Sequence, residues 1–379
     1  MWRAFGQTWR AILRDPAAIL LFFVGGIVYS FFYPLPYSKE SVQRVPIAVV
    51  DQDRTSLSRQ VTRYAAAHPS VNVVAVSPTM AEAQDLLWRG EIAGTLLIPA
   101  GFTEKILRGR QGELDLSGNG VYMMLNKAAL NGLAEAVGTV SAGIEIKRLN
   151  ATTPSAAQAM AQRQPLTVIP VPLFNVREGY GAYIVPGVMV LIIQQTLLIA
   201  VALMFGTWFE SGGLPYDTRL SSYSGVLAAY ASVTMLNALY FFGFVLWWQD
   251  YPRGGNITGM LVLVPLFSLT VAAFGMLLGT LFRTRERSAQ LLVATALPIM
   301  FLSGLTWPVE ALPAPLHALR WLFPSTAGIQ SFIAVNQLGA SLPQVRQEVV
   351  AMLLLGAAAM SLGFWRWRTL PRERTAGSP

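Results

Sequence analysis

The sequence predicts a polytopic α-helical membrane protein with six transmembrane helices and an inserted α/β extracytoplasmic domain. Hydrophobic residues make up 53% of the 379 residues and charged residues only 13%, so much of the surface is unsuited to water. Six long uncharged stretches approach or exceed the ~20 apolar residues that a helix needs to cross a bilayer. Between the first two of them lies a polar stretch with alternating strand and helix patterns, which predicts the inserted domain.

The N-terminal part of the chain predicts an interfacial helix followed by the first span. Residues 1–15 place apolar side chains three and four residues apart, with arginines on another face, as in an amphipathic helix of the head-group layer. A plain basic tail beside the membrane is the alternative. Residues 16–38 predict an uncleaved span, since no small-residue cleavage site follows them. The apolar face consists of Trp2, Phe5, Trp9 and Ile12, and the basic face of Arg3, Arg10 and Arg14.

Residues 39–178 are soluble in character and predict one α/β domain. The alternation of strands and helices indicates a sheet with crossover helices. Because the chain has no cysteine, no disulfide supports this domain, and it must fold on its hydrophobic core. The predicted strands are 45–50, 71–76, 92–98 and 114–116, the predicted helices are 56–67, 79–89, 102–107, 121–150 and 155–162, and an extended segment follows at 166–174.

Residues 179–367 predict a domain of five transmembrane helices. The shortest uncharged run there reaches a workable length when Arg366 and Arg368 extend to the head groups. Five prolines divide the region around 308–345 into short pieces, which favours a re-entrant or interfacial hairpin over a seventh span. The uncharged runs are 179–209, 220–249, 254–282, 288–309 and 349–365.

The distribution of arginine predicts that both termini, including the tail 368–379, are cytoplasmic and that residues 39–178 are extracytoplasmic. With six crossings, the cytoplasmic pieces hold eleven arginines and the short outer loops three, as the positive-inside rule requires. A long domain is translocated largely regardless of its charge. The eleven are Arg3, Arg10, Arg14, Arg219, Arg283, Arg285, Arg287, Arg366, Arg368, Arg372 and Arg374, and the three are Arg253, Arg320 and Arg346.

The sequence predicts no catalytic, cofactor-binding or metal site. The chain lacks the Gly-x-x-x-x-Gly-Lys-Ser/Thr pattern that cradles nucleotide phosphates. His68 and His317 stand alone, without a metal-ligand spacing. Asp51 and Asp53 are too few for a cation cage, and capping of the helix 56–67 together with Thr55 is the preferred interpretation. The net charge of +8 reflects arginines at helix ends, so no nucleic-acid partner is predicted.

Three polar residues deep in the predicted spans are candidates for the wall of a substrate path. Gln194, Gln195 and Asn237 must face other helices or a cavity, because lipid offers no hydrogen bonds. Hydrogen bonding between helices is the alternative role. The predicted spans contain no carboxylate, which argues against a proton-driven transporter and favours a hydrophobic or amphiphilic substrate.

The order of several motifs resembles that of a known family. Val-Pro-Ile-Ala-Val-Val-Asp-Gln-Asp stands at 45–53, and Gln-Gln-Thr-Leu-Leu at 194–198. Leu-Ser-Gly-Leu-Thr-Trp-Pro-Val-Glu follows at 302–310, and Leu-Phe-Pro-Ser-Thr at 322–326. With the layout of spans, these motifs resemble the type 2 ABC (ATP-binding cassette) transporter permeases. They are most similar to the bacterial exporter subunits with a large extracytoplasmic insert after the first helix.

The resemblance implies a permease subunit of the bacterial inner membrane that moves its substrate outward. ATP would be bound by a separate ABC ATPase, and the passage would lie between this chain and a second permease, either a copy or a relative. Membrane lipid is the surrounding partner. Analogy with related systems adds a periplasmic adaptor and an outer-membrane channel.

The resemblance also implies that the first cytoplasmic loop, 205–223, docks on the ATPase. The family usually carries a Glu-Arg-Glu-like stretch there, followed by Gly-Thr and another Glu, and this chain departs from that pattern. An ordinary helix-end carboxylate is the alternative role for Glu210. The candidate coupling residues are Glu210, Gly212, Gly213, Asp217 and Arg219.

Other function classes fit the sequence less well. A receptor, sensor or scaffold with a ligand-binding outer domain would need a cytoplasmic output, and the predicted tail after Trp367 is short. A membrane-embedded enzyme would need clustered acid and base residues at a membrane face, which the sequence lacks. The sequence therefore favours a transport subunit that is not itself an enzyme.

Overall fold

The computed structural model describes residues 1–39, 42–150, 173–175 and 179–372. The chain divides into two compact units. One consists of Met1–Glu40 with Pro172–Pro379, and the other of Ser41–Val171. The predicted helix 155–162 and most of the predicted extended segment 166–174 lie outside the described residues.

The chain begins with two helices of the first unit, α1 (Trp2–Arg14) and the candidate membrane span α2 (Pro16–Tyr37). Asp15 ends one and begins the other, since its side chain accepts hydrogen bonds from the backbone N–H groups of Ala17 and Ala18. Proline is suited to the first position of α2, because a backbone N–H there would have no acceptor within the helix. The fixed φ of Pro16 and the cap at Asp15 together set where α2 starts.

The second unit is a small mixed sheet with helices on its faces. Strand β1 (Val45–Asp51) pairs in parallel with β2 (Val71–Ser77) and β3 (Gly94–Ile98), while β4 (Asp115–Gly118) runs antiparallel to β3, giving the order β2-β1-β3-β4. The elements predicted between residues 45 and 150 are confirmed with small shifts at their ends. In chain order they are β1 (Val45–Asp51), α3 (Ser56–Ala67), β2 (Val71–Ser77), α4 (Met80–Trp88), β3 (Gly94–Ile98), α5 (Phe102–Leu107), β4 (Asp115–Gly118) and α6 (Met123–Asn150).

Both faces of the sheet are covered, which explains the continuous apolar run in β1. Ile47 and Val49 belong to the core shared with α3 and α6, whereas Ala48 and Val50 belong to the core shared with α4. Successive residues of a strand point to opposite faces, so a strand covered on both sides needs apolar residues at every position.

The capping prediction is confirmed for Thr55, whereas the carboxylates after β1 bond to the capping hydroxyls and not to the N–H groups of the helix α3. Thr55 and Ser58 form a capping box at the start of α3. Asp51 accepts a hydrogen bond from the Ser58 hydroxyl at 2.8 Å, and Asp53 accepts one from the Thr55 hydroxyl at 2.8 Å. The two carboxylates therefore support the turn between β1 and α3, and Asp53 also accepts the hydroxyl of Thr103 in α5 at 2.5 Å.

The rest of the first unit is helical and is organised around one central helix. The helices are α7 (Tyr180–Glu210), α8 (Leu220–Trp248), α9 (Ile257–Gly279), α10 (Arg285–Leu302), α11 (Ala314–Leu319), α12 (Pro324–Phe332) and α13 (Arg346–Thr369). Helix α7 is buried along most of its length and packs against α2, α8, α9, α10 and α12.

Five described helical segments are long and apolar enough to cross a membrane: α2, α7, α8, α9 and the segment Leu342–Thr369, which contains α13. Helix α10 carries Arg285, Glu286 and Arg287 in its first turn and is 18 residues long. It ends at Leu302, earlier than the predicted 309, because Gly304 with φ 86° turns the chain. A sixth crossing by α10 stays a prediction.

The region 308–345 forms short helices, several of which begin at prolines. Pro313 precedes α11, and Pro324 opens α12, which is buried against α7, α9 and α13. Helix α12 continues into a π-helical turn at Ile333–Gln337. This division into short pieces agrees with the predicted hairpin, whose position relative to a bilayer stays a prediction.

The packing face of α1 overlaps only in part with the predicted apolar face, of which Ile12 is buried and Trp9 is partly buried. The residues buried against the rest of the unit are Ala4, Thr8 and Ile12, while Trp2 is 75% exposed. The contact requires small side chains, because α1 crosses α8 closely at Gly225. A Cβ added to Gly225 would lie 2.3 Å from the carbonyl oxygen of Met1. A periodicity of large apolar residues does not reveal a contact made by small ones.

Candidate functional site

The loop that follows α7 turns sharply at two glycines. Gly212 and Gly213 have φ values of 106° and 140°, which side-chain-bearing residues rarely adopt. In this turn the N–H of Gly213 donates a hydrogen bond to the carbonyl oxygen of Trp208, with an N–O distance of 2.8 Å. The next residue, Leu214, donates its N–H to the carbonyl of Pro371 at 3.0 Å, so this loop pairs with the chain that follows α13.

The second half of the loop is tied to the end of α13 and to the start of α8. The Asp217 carboxylate accepts a hydrogen bond from the N–H of Arg219 at 3.1 Å, just before α8 begins. Hydrogen bonding from Ser222 lowers the pKa of the Asp217 carboxyl below its ordinary value. The carbonyl of Asp217 accepts the indole N–H of Trp367 at 3.0 Å, while the Arg219 side chain is exposed.

Aromatic side chains form the floor beneath this loop. Trp367 is fully buried, and its ring lies 5.8 Å from the ring of Tyr216 and 5.7 Å from that of Tyr223. The Tyr216 hydroxyl is 2.9 Å from the hydroxyl of Thr8 on α1. The loop, α1 and the end of α13 therefore form one packed cluster.

Arg285, the first residue of α10, joins this cluster through three partners. Its guanidinium forms a bidentate ion pair with Asp15, with N–O distances of 2.8 and 2.9 Å. It also donates to the Thr207 hydroxyl at 2.7 Å. Its backbone N–H donates to the carboxylate of Glu210 at 2.9 Å. One residue thus links the α1–α2 junction to the end of α7.

The ion pair is partly shielded from water. The side chains of Arg285 and Asp15 are 31% and 17% exposed. The hydrogen bond from Arg285 outweighs partial burial and lowers the pKa of the Asp15 carboxyl below its ordinary value of 3.8. The associated stability is therefore present above pH 3.8 and is lost as the pH falls through the lower value of the folded chain. The pair stays ionised at neutral pH.

The three candidate path residues each reach a different helix. Gln194 is fully buried, and its side-chain oxygen accepts the backbone N–H of Ser325 at the start of α12 at 2.6 Å. Gln195 donates to Leu292 and Thr295 on α10, at 3.4 and 3.3 Å. Asn237 donates to the carbonyl of Phe22 in α2 at 2.9 Å. These geometries fit hydrogen bonding between helices, the alternative weighed for these residues.

Comparison with known proteins identifies the family. The family profile described as "ABC-2 family transporter protein" matches residues 17–365. The chain belongs to the ABC-2 family of transporters. This membership confirms the resemblance drawn from the motifs and the order of the spans, and it establishes the chain as a transmembrane ABC permease.

Three bacterial relatives align with this ABC-2 family chain over almost its full length. The linearmycin resistance permease protein LnrN of Bacillus subtilis strain 168 is 22% identical, over 93% of this chain and 95% of its own. The probable multidrug ABC transporter permease YbhR of Escherichia coli strain K12 is 20% identical, over 97% and 98%. The inner membrane transport permease YhhJ of the same strain is 21% identical, over 95% and 94%.

The structure of this ABC-2 permease brings the predicted loop residues together and adds others to them. Glu210, Asp217 and both glycines make the contacts described above, whereas Arg219 remains at the surface. From the sequence, Arg285 was predicted only to mark the cytoplasmic side of the membrane, and no role was predicted for Asp15. The cap signal of Asp15 before Pro16 was readable in the sequence, but its pairing across 270 residues was not.

Removal of the Gln194 side-chain oxygen is expected to destabilise this ABC-2 permease. In Gln194→Leu the N–H of Ser325 loses its acceptor inside the protein, which costs about 1–3 kcal/mol. Thr196→Val is the matched control, because that hydroxyl bonds only to carbonyls of its own helix. In detergent, the Tm of purified Gln194→Leu should fall below that of Thr196→Val. Equal Tm values would show that the bond between α7 and α12 contributes little.

Proposed function

We propose that this ABC-2 chain is the permease subunit of an ATP-driven exporter that moves a hydrophobic or amphiphilic substrate out of the cytoplasm or the inner leaflet. A second permease subunit completes the passage, and a separate ABC ATPase supplies the energy by driving alternation between inward and outward access. The names of the relatives, which include a resistance permease and probable multidrug permeases, support outward transport of such compounds.

The observation that carries this proposal is the cluster at one end of the membrane unit. It joins α1, the loop after α7, the start of α10 and the end of α13 through Tyr216, Arg285 and Trp367. A docked ATPase that pushes on this loop would act on several helices together, because the cluster connects them. The coupling residues are accordingly Glu210, Gly212, Gly213, Asp217 and Arg219, supported by Asp15 and Arg285.

The same cluster supports six crossings with both termini in the cytoplasm. The start of α10 and the chain after α13 both reach this cluster, as do α1 and the end of α7. Such contacts favour one membrane crossing by α10 and one by α13. The chain that connects these two helices would then return to the side of the membrane that it left. Since α2 begins here and α7 ends here, residues 39–178 are expected at the opposite side, where an adaptor would dock.

Single-cysteine labelling tests this topology, and the absence of native cysteine makes every introduced thiol unambiguous. With a membrane-impermeant maleimide on intact spheroplasts, Ser211→Cys and Arg287→Cys should label only after lysis, and Ser117→Cys before it. Labelling of Arg287→Cys in intact spheroplasts would contradict the cytoplasmic position of the start of α10.

Reversal of the charge at Glu210 tests the docking role. Glu210 is exposed and accepts the N–H of Arg285, so Glu210→Arg should weaken copurification of the ABC ATPase in mild detergent about tenfold. Glu310→Arg is the control, because it reverses an exposed carboxylate in the predicted outer hairpin. Equal recovery of the ATPase with both variants, at unchanged elution volume, would remove Glu210 from the docking surface.

A further inference from the structure

A groove lies between α8 and α9, away from the cluster that serves coupling. Its volume is about 570 Å³, within the range of sites that hold a small molecule. Two-thirds or more of Ile257 and Leu261 are exposed along it, so in a membrane it opens toward lipid or another protein. The apolar part is lined by Met235, Leu239, Phe242, Ile257, Leu261 and Pro265.

The groove exists because α8 lacks a side chain where its helical geometry changes. The segment Tyr240–Val245 is π-helical, a form common at functional sites. Gly243 lies in this segment and lines the groove, and no atom lies within 4 Å of the place that a Cβ would take. A side chain at this position would occupy the empty space, so glycine keeps the groove open.

One end of the groove is polar and cationic. Arg253 lies in the loop between α8 and α9, and its Nη1 donates to the carbonyls of Leu246 and Tyr251 at 3.3 and 3.1 Å. These two bonds orient the guanidinium through Nη1, and among the described residues no other hydrogen bond of its nitrogens is seen, so they can meet a ligand. Because those carbonyls are uncharged, they hold Arg253 in place without neutralising it.

Asn336 stands beside this end and is only 4% exposed. Its side-chain oxygen accepts the N–H of Gly254 at 2.9 Å, and its carbonyl accepts the N–H of Gly255 at 2.8 Å. Among the described residues its amide Nδ2 has no partner. Asn336 therefore anchors the loop that carries Arg253 at the groove, and its Nδ2 can still donate a hydrogen bond.

We propose that the α8–α9 groove binds a membrane phospholipid, with the phosphate at Arg253 and an acyl chain along the apolar wall. A guanidinium matches the geometry of phosphate oxygens, and none of the lining residues is acidic. The part of α8 that lines the groove, from Met235 to Gly243, rises about 12 Å, which is most of the roughly 15 Å depth of one leaflet of a ~30 Å hydrocarbon core. The inference depends on membrane insertion and goes beyond the proposed export.

The phosphate end of the site is tested with Arg253→Gln, for which Arg346→Gln is the control because Arg346 does not line the groove. The purified full chain is stripped of lipid and titrated in native mass spectrometry. The ligands are phosphatidylethanolamine, phosphatidylglycerol and diacylglycerol with the same acyl chains. Wild type and Arg346→Gln should bind both phospholipids about tenfold more tightly than diacylglycerol, because only the former offer charge-assisted hydrogen bonds. Arg253→Gln should abolish that difference.

The apolar end is tested with Gly243→Leu, which fills the groove, against Gly243→Ala as a smaller change. The leucine variant should lose binding of all three lipids about tenfold, because the tail loses its apolar contact area. Titration curves of Arg253→Gln that superimpose on wild type would overturn the proposal. Displacement of the lipid by excess inorganic phosphate would also overturn it, because it would mark a site for free anions. Dissociation of a dimer by Gly243→Leu would overturn it as well, because it would mark a subunit interface. Binding is measured without ATPase or transport, so failure of the export proposal leaves this test intact.

Discussion

Export by Arg285→Ala is expected to fall at least about tenfold, the largest effect among single charge removals at the coupling cluster. The variant loses the bidentate pair with Asp15 and the bond to Thr207, while Asp15 keeps a charge that is only 17% exposed. The loss of export is measured as uptake of a fluorescent amphiphile into inverted vesicles. These vesicles contain the complex of this chain with its ABC ATPase. We expect ATP hydrolysis to fall less than transport, because α10 loses its side-chain bonds to the α1–α2 junction and to α7 while the backbone N–H of residue 285 still bonds to Glu210.

Two further variants separate the ion pair from other causes. Arg287→Ala removes an exposed arginine two residues away and should export normally. Asp15→Asn removes the charge but keeps an oxygen that can cap α2, so it isolates the pair from the cap. The double variant Asp15→Asn/Arg285→Ala should be no worse than Arg285→Ala alone, since coupled residues are not additive. Equal export by Arg285→Ala and Arg287→Ala would refute the linking role of Arg285.

Gly206→Ala is expected to disrupt the same cluster by steric means. An added Cβ would lie 2.7 Å from the backbone nitrogen of Arg285, 2.8 Å from its Cα and 3.0 Å from the carbonyl carbon of Thr284. Backbone atoms cannot rotate aside, so α7 and the start of α10 must separate, at a cost of about 1–3 kcal/mol. The Tm and export should both fall, although alanine alone favours a helix by about 1 kcal/mol.

Gly6→Ala is the matched control for that steric effect. It makes the same chemical change within helix α1, and no atom lies within 4 Å of its added Cβ. Gly6→Ala should leave the Tm unchanged or raise it slightly, because alanine is the better helix former. If Gly206→Ala behaves like Gly6→Ala, the close approach of α7 to the start of α10 is not needed for export.

The elements of the second unit were predictable because local patterns decide them. The capping box at Thr55 and Ser58 and the apolar run of β1 are both signals within a few residues. The five candidate spans were predictable for the same reason, since length and lack of charge can be read directly. The end of α10 was predicted too late, because hydropathy continues past Leu302 although Gly304 turns the chain.

The coupling cluster was only partly predictable, because its contacts join distant parts of the chain. Glu210 and the two glycines were proposed from the resemblance to the permease family, but Asp15 and Arg285 meet across 270 residues. The buried face of α1 escaped prediction, since Ala4 and Thr8 carry little hydropathy. The π-helical segment of α8 was also missed, because no sequence period distinguishes it from an ordinary span.

The most direct test of the account compares ATP-driven transport with and without the partner ATPase. Inverted vesicles should take up an amphiphilic dye only when this chain and an active ABC ATPase are both present. Substitution of the phosphate-binding lysine of that ATPase should abolish uptake, and this chain alone should hydrolyse no ATP. Uptake that persists with the inactive ATPase, or nucleotide hydrolysis by this chain alone, would contradict the division between passage and motor.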